Sequence, residues 1–137
     1  MESKFTSRTR RLGIDLESIQ EITIGLGSQK IITVTEEKIA SHVSVLSTPW
    51  LLSLFEDTAA DTIRPYLPKG AITVGAEVWI RHIRPAVAGS EVTLNAQITA
   101  IKGNKVNYSL DAFVGDNKIG DGTLKSAVVF SGFETPK

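Results

Sequence analysis

The residues from Leu46 to Gly70 constrain the fold of this chain more than any other stretch. Thr48 has the chemistry of an N-cap, because its hydroxyl can accept from an otherwise unpaired N–H of a first helical turn. Pro49 then falls at the first helical position, where its missing N–H costs nothing. Pro65 disfavours helical geometry at Arg64, so the helix is expected to end near Ile63. Between these marks Leu51, Leu52, Leu54, Phe55, Ala59, Ala60 and Ile63 spread over more than one stripe. Such a helix is expected to be buried on several sides. Glu56 stands among these apolar residues.

The flanking segments read as strands. Gln29–Thr35 is rich in β-branched residues. After the helix come four strand-like runs, Ala71–Arg84, Gly89–Ile101, Val106–Val114 and Ile119–Phe130. In the second, Val92, Leu94, Ala96, Ile98 and Ala100 alternate with Glu91, Thr93, Asn95, Gln97 and Thr99, as in a half-buried antiparallel strand. Lys102-Gly103-Asn104-Lys105 and Gly115-Asp116-Asn117-Lys118 read as turns. The expected fold class is α+β, a strand, one long helix and a meander of four strands, with an antiparallel sheet packed on the helix. With 137 residues the chain is read as one domain, its core at about 20–131 and loose tails at 1–11 and 132–137.

Composition excludes several roles. Fifteen basic and fifteen acidic residues cancel, so the chain lacks the basic excess of a nucleic-acid binder. It has no cysteine, hence no disulfide frame, thiolate metal site or cysteine nucleophile. Its two histidines, His42 and His82, are forty residues apart, which is no metal-binding spacing. No apolar run is long enough for a membrane span, and the N-terminus lacks a signal-peptide core. The chain is read as soluble and cytoplasmic.

Three side chains could share a site. His82 alternates in step with Val78 and Ile80, and so is expected to face the helix that carries Glu56. A carboxylate beside an imidazole orients the ring and favours its protonated form, a general-base arrangement. Thr48 precedes Glu56 by eight residues, about 80° around the helix and about 12 Å along it. The unpaired N–H groups near Thr48 could stabilise an oxyanion. The same residues have plainer readings: a helix cap, an outward-facing acid and a satisfied core histidine. His42 is read as a solvated loop residue.

The ordered set Val34-Thr35-Glu36-Glu37, Val45-Leu46-Ser47-Thr48-Pro49, Phe55-Glu56-Asp57-Thr58-Ala59-Ala60, Thr73-Val74-Gly75, His82 with Gly89 following, and Ile119-Gly120-Asp121-Gly122 covers about 24–130. In this set the chain resembles the hotdog-fold acyl-CoA thioesterases, and among them the fluoroacetyl-CoA thioesterase-like family. The resemblance implies a sheet wrapped around one central helix. It implies hydrolysis of a small acyl-CoA to free acid and CoA, with Thr48, Glu56 and His82 as catalytic residues and Gly75 shaping the acyl pocket. It also implies a homodimer, or a higher oligomer, with the site near the subunit interface, and no metal or cofactor beyond the CoA of the substrate. Arg81, Arg84, Lys102 and Lys105 are candidates to meet the CoA phosphates.

The chain departs from the family where Gly122-Thr123 is followed by Leu124, Lys125 and Ser126 in place of the usual histidine and arginine. It also has no aromatic residue between Phe5 and Trp50 to serve as the acyl lid of the fluoroacetyl enzyme, so selectivity for fluoroacetate is not carried over. The alternative function is a hotdog module that binds acyl-CoA without turnover, as a sensor or carrier. A hotdog hydratase ranks last, because its strand-and-helix pattern of Asp and His is missing. Acyl length and identity, and the choice between covalent and general-base routes, are not legible in the residues.

Overall fold

The computed structural model describes residues 14–40 and 42–131. The expected tails at 1–11 and 132–137 lie outside them. Strand β1 (Gly27–Thr33) is followed by helix α1 (Thr48–Ile63), then β2 (Ala71–His82), β3 (Glu91–Lys102), β4 (Lys105–Val114) and β5 (Asn117–Phe130). All pairings are antiparallel, and the strand order is β1-β3-β4-β5-β2. The sheet wraps around the single long helix, as expected of the hotdog architecture.

The topology corrects the expected four-strand meander. Only β3, β4 and β5 form one. Their connections are tight turns at Gly103 and Gly115, both with positive φ. The link from β2 to β3 is not a hairpin. Residues 83–90 run across the end of the sheet, bridging a lateral gap of about 14 Å at ordinary strand spacing. Backbone bonds hold this link along its length, from Ile83 N–H to Ile119 O (2.7 Å), Gly89 N–H to Val34 O (2.9 Å) and Val34 N–H to Ser90 O (2.9 Å). β2 therefore ends at one edge of the sheet and β1 at the other.

The core lies between sheet and helix. Leu51, Leu54, Phe55, Ala59 and Ile63 face Val92, Leu94, Val106, Tyr108, Ile119, Leu124 and Val128, all buried. Each large apolar side chain so buried contributes about 1.5–3 kcal/mol. Leu16 is also fully buried, so the core begins upstream of residue 20. The helix buries one stripe rather than several sides, because Glu56 and Asp57 are exposed and Leu52 is only half-buried. Thr58 and Thr62 lie within the stripe, satisfied by helix carbonyls and by Ser28 of β1. The Ser28 hydroxyl donates to Thr58 O at 2.6 Å.

A β-bulge in β2 sets up the site. Gly75 pairs with Ser126 and Glu77 with Lys125, leaving Ala76 as the extra residue. Strict alternation counted back from His82 would turn Gly75 to the outer face. The extra residue restores it to the helix side, as bulges re-aim a strand.

Candidate active site

Ser47, not Thr48, caps the helix. The Ser47 backbone is extended, and its hydroxyl accepts from the Trp50 N–H at 3.3 Å. Thr48 is the first helical residue and Pro49 the second. The expected cap is displaced by one position, with a chemical consequence. The Thr48 hydroxyl is released from capping and lies 2.9 Å from His82 Nδ1.

His82 closes β2 on the helix-facing side, opposite Gly120. Its Nε2 is buried and has no hydrogen-bond partner among the described residues. Burial pushes its pKa below the ordinary 6.5 and so favours the neutral ring within one chain. A neutral imidazole can accept the Thr48 proton on Nδ1 while Nε2 carries a hydrogen.

The pair opens into a cavity of about 420 Å³. One wall is the segment before the helix, where His42 and Val43 line the space. The other is the end of β2 and its continuation, Ile83, Arg84 and Pro85. Backbone bonds join the walls: Leu46 N–H to Ala86 O (2.8 Å) and Ala88 N–H to Ser44 O (3.0 Å). Sequence reasoning assigned His42 to solvent. It is exposed, but it belongs to the wall of this cavity, a placement that only the fold of residues 42–46 against 86–88 reveals.

Glu56 stands apart from the pair. Within one chain it lines a different cavity of about 230 Å³, with Thr73, Gly75, Leu124 and Ser126. The expected contact between Glu56 and His82 is absent among the described residues of a single chain. Two turns of helix separate Glu56 from Thr48, about 12 Å. Gly75 belongs with Glu56: a Cβ there would come 2.5 Å from Glu56 Oε2. Leu124 and Ser126, from the altered last strand, are buried in this second cavity, whereas Lys125 points outward to Glu77 at 3.6 Å.

The four basic residues separate as well. Arg81 faces outward and donates twice to the Asp121 carboxylate, at 2.9 and 2.8 Å, and this hydrogen-bonded charge holds Asp121 below the usual carboxylate range. Lys102 and Lys105 flank the β3–β4 turn. Lys105 is opposite Ala127, seven residues along β5 from the partner of His82, or about 23 Å. Arg84 alone lines the cavity of Thr48 and His82. No helix among the described residues is long and apolar enough to cross a membrane.

Comparison with known proteins agrees with the fold. The family model of fluoroacetyl-CoA-specific thioesterases matches residues 29–131. The fluoroacetyl-CoA thioesterase of Streptantibioticus cattleyicolor is 26% identical over 92 residues, a match covering 67% of this chain and 66% of that protein. A crystal structure of a point variant of the fluoroacetyl-CoA-specific thioesterase, in complex with fluoroacetate and CoA, superposes with a TM-score of 0.79 at 21% identity. It covers 83% of this chain and 100% of that one. A hot-dog-like protein from Thermanaerovibrio acidaminovorans superposes with a TM-score of 0.77 at 21% identity, over 83% of this chain and 88% of that one. The chain is a hotdog-fold protein and belongs to the family of fluoroacetyl-CoA-specific thioesterases, a family of acyl-CoA thioester hydrolases.

Proposed function

We propose that this chain hydrolyses a small acyl-CoA to the free acid and CoA, with Thr48, His82 and Glu56 as its catalytic residues. The observation that carries the reading is the 2.9 Å hydrogen bond between Thr48 Oγ1 and His82 Nδ1 at the wall of a cavity large enough for a small acyl group. His82 takes the proton from the attacking oxygen, that of Thr48 or of a water held beside it. The oxygen adds to the thioester carbonyl, the carbon–sulfur bond breaks, and the proton passes to the departing CoA sulfur. If Thr48 attacks, water then releases the acid from the acyl-threonine by the same proton path. These steps use side chains and water.

Glu56 enters through a second copy of the chain. The outer edge of β2 is unpaired among the described residues, and Val78 and Trp79 are 41% and 58% exposed beside it. A free strand edge of this length invites pairing. Two-fold antiparallel pairing centred on Trp79, with Ala76 as the extra residue of the bulge, sets His82 alongside Gly75 of the partner subunit on the same face. The carboxylate of Glu56 of the partner subunit, seated over that glycine, then reaches the vacant Nε2 of His82. A threonine, a histidine and a carboxylate so arranged repeat the logic of a nucleophile, a base and the group that orients it. The homodimer is thus part of the reading, and the cytoplasm is its compartment.

The alternative, a module that binds acyl-CoA without turnover, draws support from the single-chain separation of Glu56 from His82. Steady-state thiol release from a panel of short acyl-CoAs decides between them. Turnover by the wild type, with loss of most of kcat in folded His82→Ala and Glu56→Gln, supports the hydrolase. Binding without thiol release supports the module. Full activity in both folded variants removes these residues from the site.

A further inference from the structure

We infer that Arg84 binds an anionic group of the thioester substrate and makes this cavity selective for it; the inference rests on the hydrolase reading of the same cavity. Among the described residues no Asp or Glu lines the space around Thr48 and His82, whereas His42, His82 and Arg84 all line it. Arg84 is the fixed positive charge there, and among the described residues no carboxylate meets it. Arg81, three residues earlier, is by contrast occupied by Asp121.

The Arg84 guanidinium is held in place. Ile83 N–H and Arg84 N–H both donate to Ile119 O, at 2.7 and 3.1 Å, and Arg84 Nη1 donates to Lys118 O at 2.7 Å. One N–H of the fork is used in this way. The others remain for a ligand, in the geometry that suits a carboxylate or phosphate. Arg84 follows His82 by two residues, so it lies about 7 Å further along the chain path. An anion there is either a carboxylate at the far end of the acyl group, as in a dicarboxylic monothioester, or a phosphate of the CoA. The two sources share one chemistry and differ in where the charge sits on the substrate.

The test compares wild type with Arg84→Gln on four substrates: acetyl-CoA, succinyl-CoA and the acetyl and succinyl thioesters of N-acetylcysteamine, which lacks phosphates. Calorimetric binding of CoA and of pantetheine is measured on both proteins, and binding of succinyl-CoA in an His82→Ala background with and without the Arg84 change. Loss of about tenfold or more in kcat/KM, carried by KM, on both succinyl substrates but not on acetyl-N-acetylcysteamine assigns the acyl carboxylate. The same loss on both CoA substrates, with weaker CoA but unchanged pantetheine binding, assigns the phosphates. An equal loss on all four, or a change below twofold on all four, overturns the inference while leaving the hydrolase standing. If wild type hydrolyses none of them, the hydrolase reading fails, and the binding arms still decide: weaker binding of anionic ligands by the Arg84→Gln proteins sustains the inference, and unchanged binding overturns it.

Discussion

Gly75 faces Glu56 so closely that one added carbon would come 2.5 Å from Glu56 Oε2. The obstructing atom is the end of a flexible side chain, so the carboxylate can swing away without disturbing the core. Gly75→Ala is therefore expected to leave thermal stability within about 2 °C of wild type. It should nonetheless lower kcat/KM about tenfold or more, because it moves the carboxylate that the proposed mechanism uses. A thermal melt beside a thiol-release assay checks both halves. Unchanged activity would remove Glu56 from the mechanism.

Ser47 and Thr48 divide two tasks between adjacent hydroxyls. Ser47→Ala removes the cap and is expected to cost about 1 kcal/mol in urea unfolding. Thr48→Ala leaves the cap in place and loses only a partly exposed hydrogen bond, so its stability cost is the smaller of the two. Its effect on kcat should be the larger. If Thr48→Ala destabilised more than Ser47→Ala while retaining kcat, Thr48 would be structural.

Subunit mixing tests whether each site draws on two chains. Glu56→Gln and His82→Ala proteins are each expected to be nearly inactive. Mixed in equal amounts and allowed to exchange, they should recover about a quarter of wild-type activity, since half the dimers are mixed and each mixed dimer has one whole site of two. No recovery after demonstrated exchange would place Glu56 and His82 of the same chain in one site, or outside any site.

Burial alone holds the His82 pKa below 6.5 within one chain. A carboxylate brought to Nε2 acts in the opposite direction, favouring the protonated ring. Glu56→Gln is then expected to move the acid limb of kcat/KM to lower pH, because the base form persists further into acid once that charge is gone. A pH–rate profile on the residual activity, with enough enzyme to measure it, reads the shift. An acid limb that stays in place would separate Glu56 from His82.

Much of this was legible in the residues. The apolar helix, the alternating runs and the turns at Gly103 and Gly115 gave the sheet-on-helix architecture. Val78, Ile80 and His82 share a face as their spacing requires. What could not be read was non-local. The β2–β3 link carries no turn signal and crosses the sheet end by bonds to residues far away in sequence, so a meander was the natural expectation. Ser47 and Thr48 are both good caps, and only the backbone decides between them. The bulge at Ala76 has only the neighbouring Gly75 as a signal, and a strand glycine serves equally for a close approach. The separation of Glu56 from His82 follows from helix rise and strand length together, which periodicity alone does not combine. His42 reaches the cavity wall because Val45 bridges to Val87, a pairing outside any regular strand.

The two walls around Thr48 and His82 are joined by main-chain bonds, Leu46 to Ala86 and Ala88 to Ser44, whereas His42, Val43, Ile83 and Arg84 on their surfaces lie outside the core. Frame and lining are therefore separate. Exchanging His42, Val43, Ile83 or Arg84 changes what the cavity accepts while the bonds that shape it persist. Under the proposed mechanism, acyl preference in a chain built this way can drift at little expense to folding, and the pair of Thr48 and His82 can be refitted to a new substrate by a few exposed substitutions.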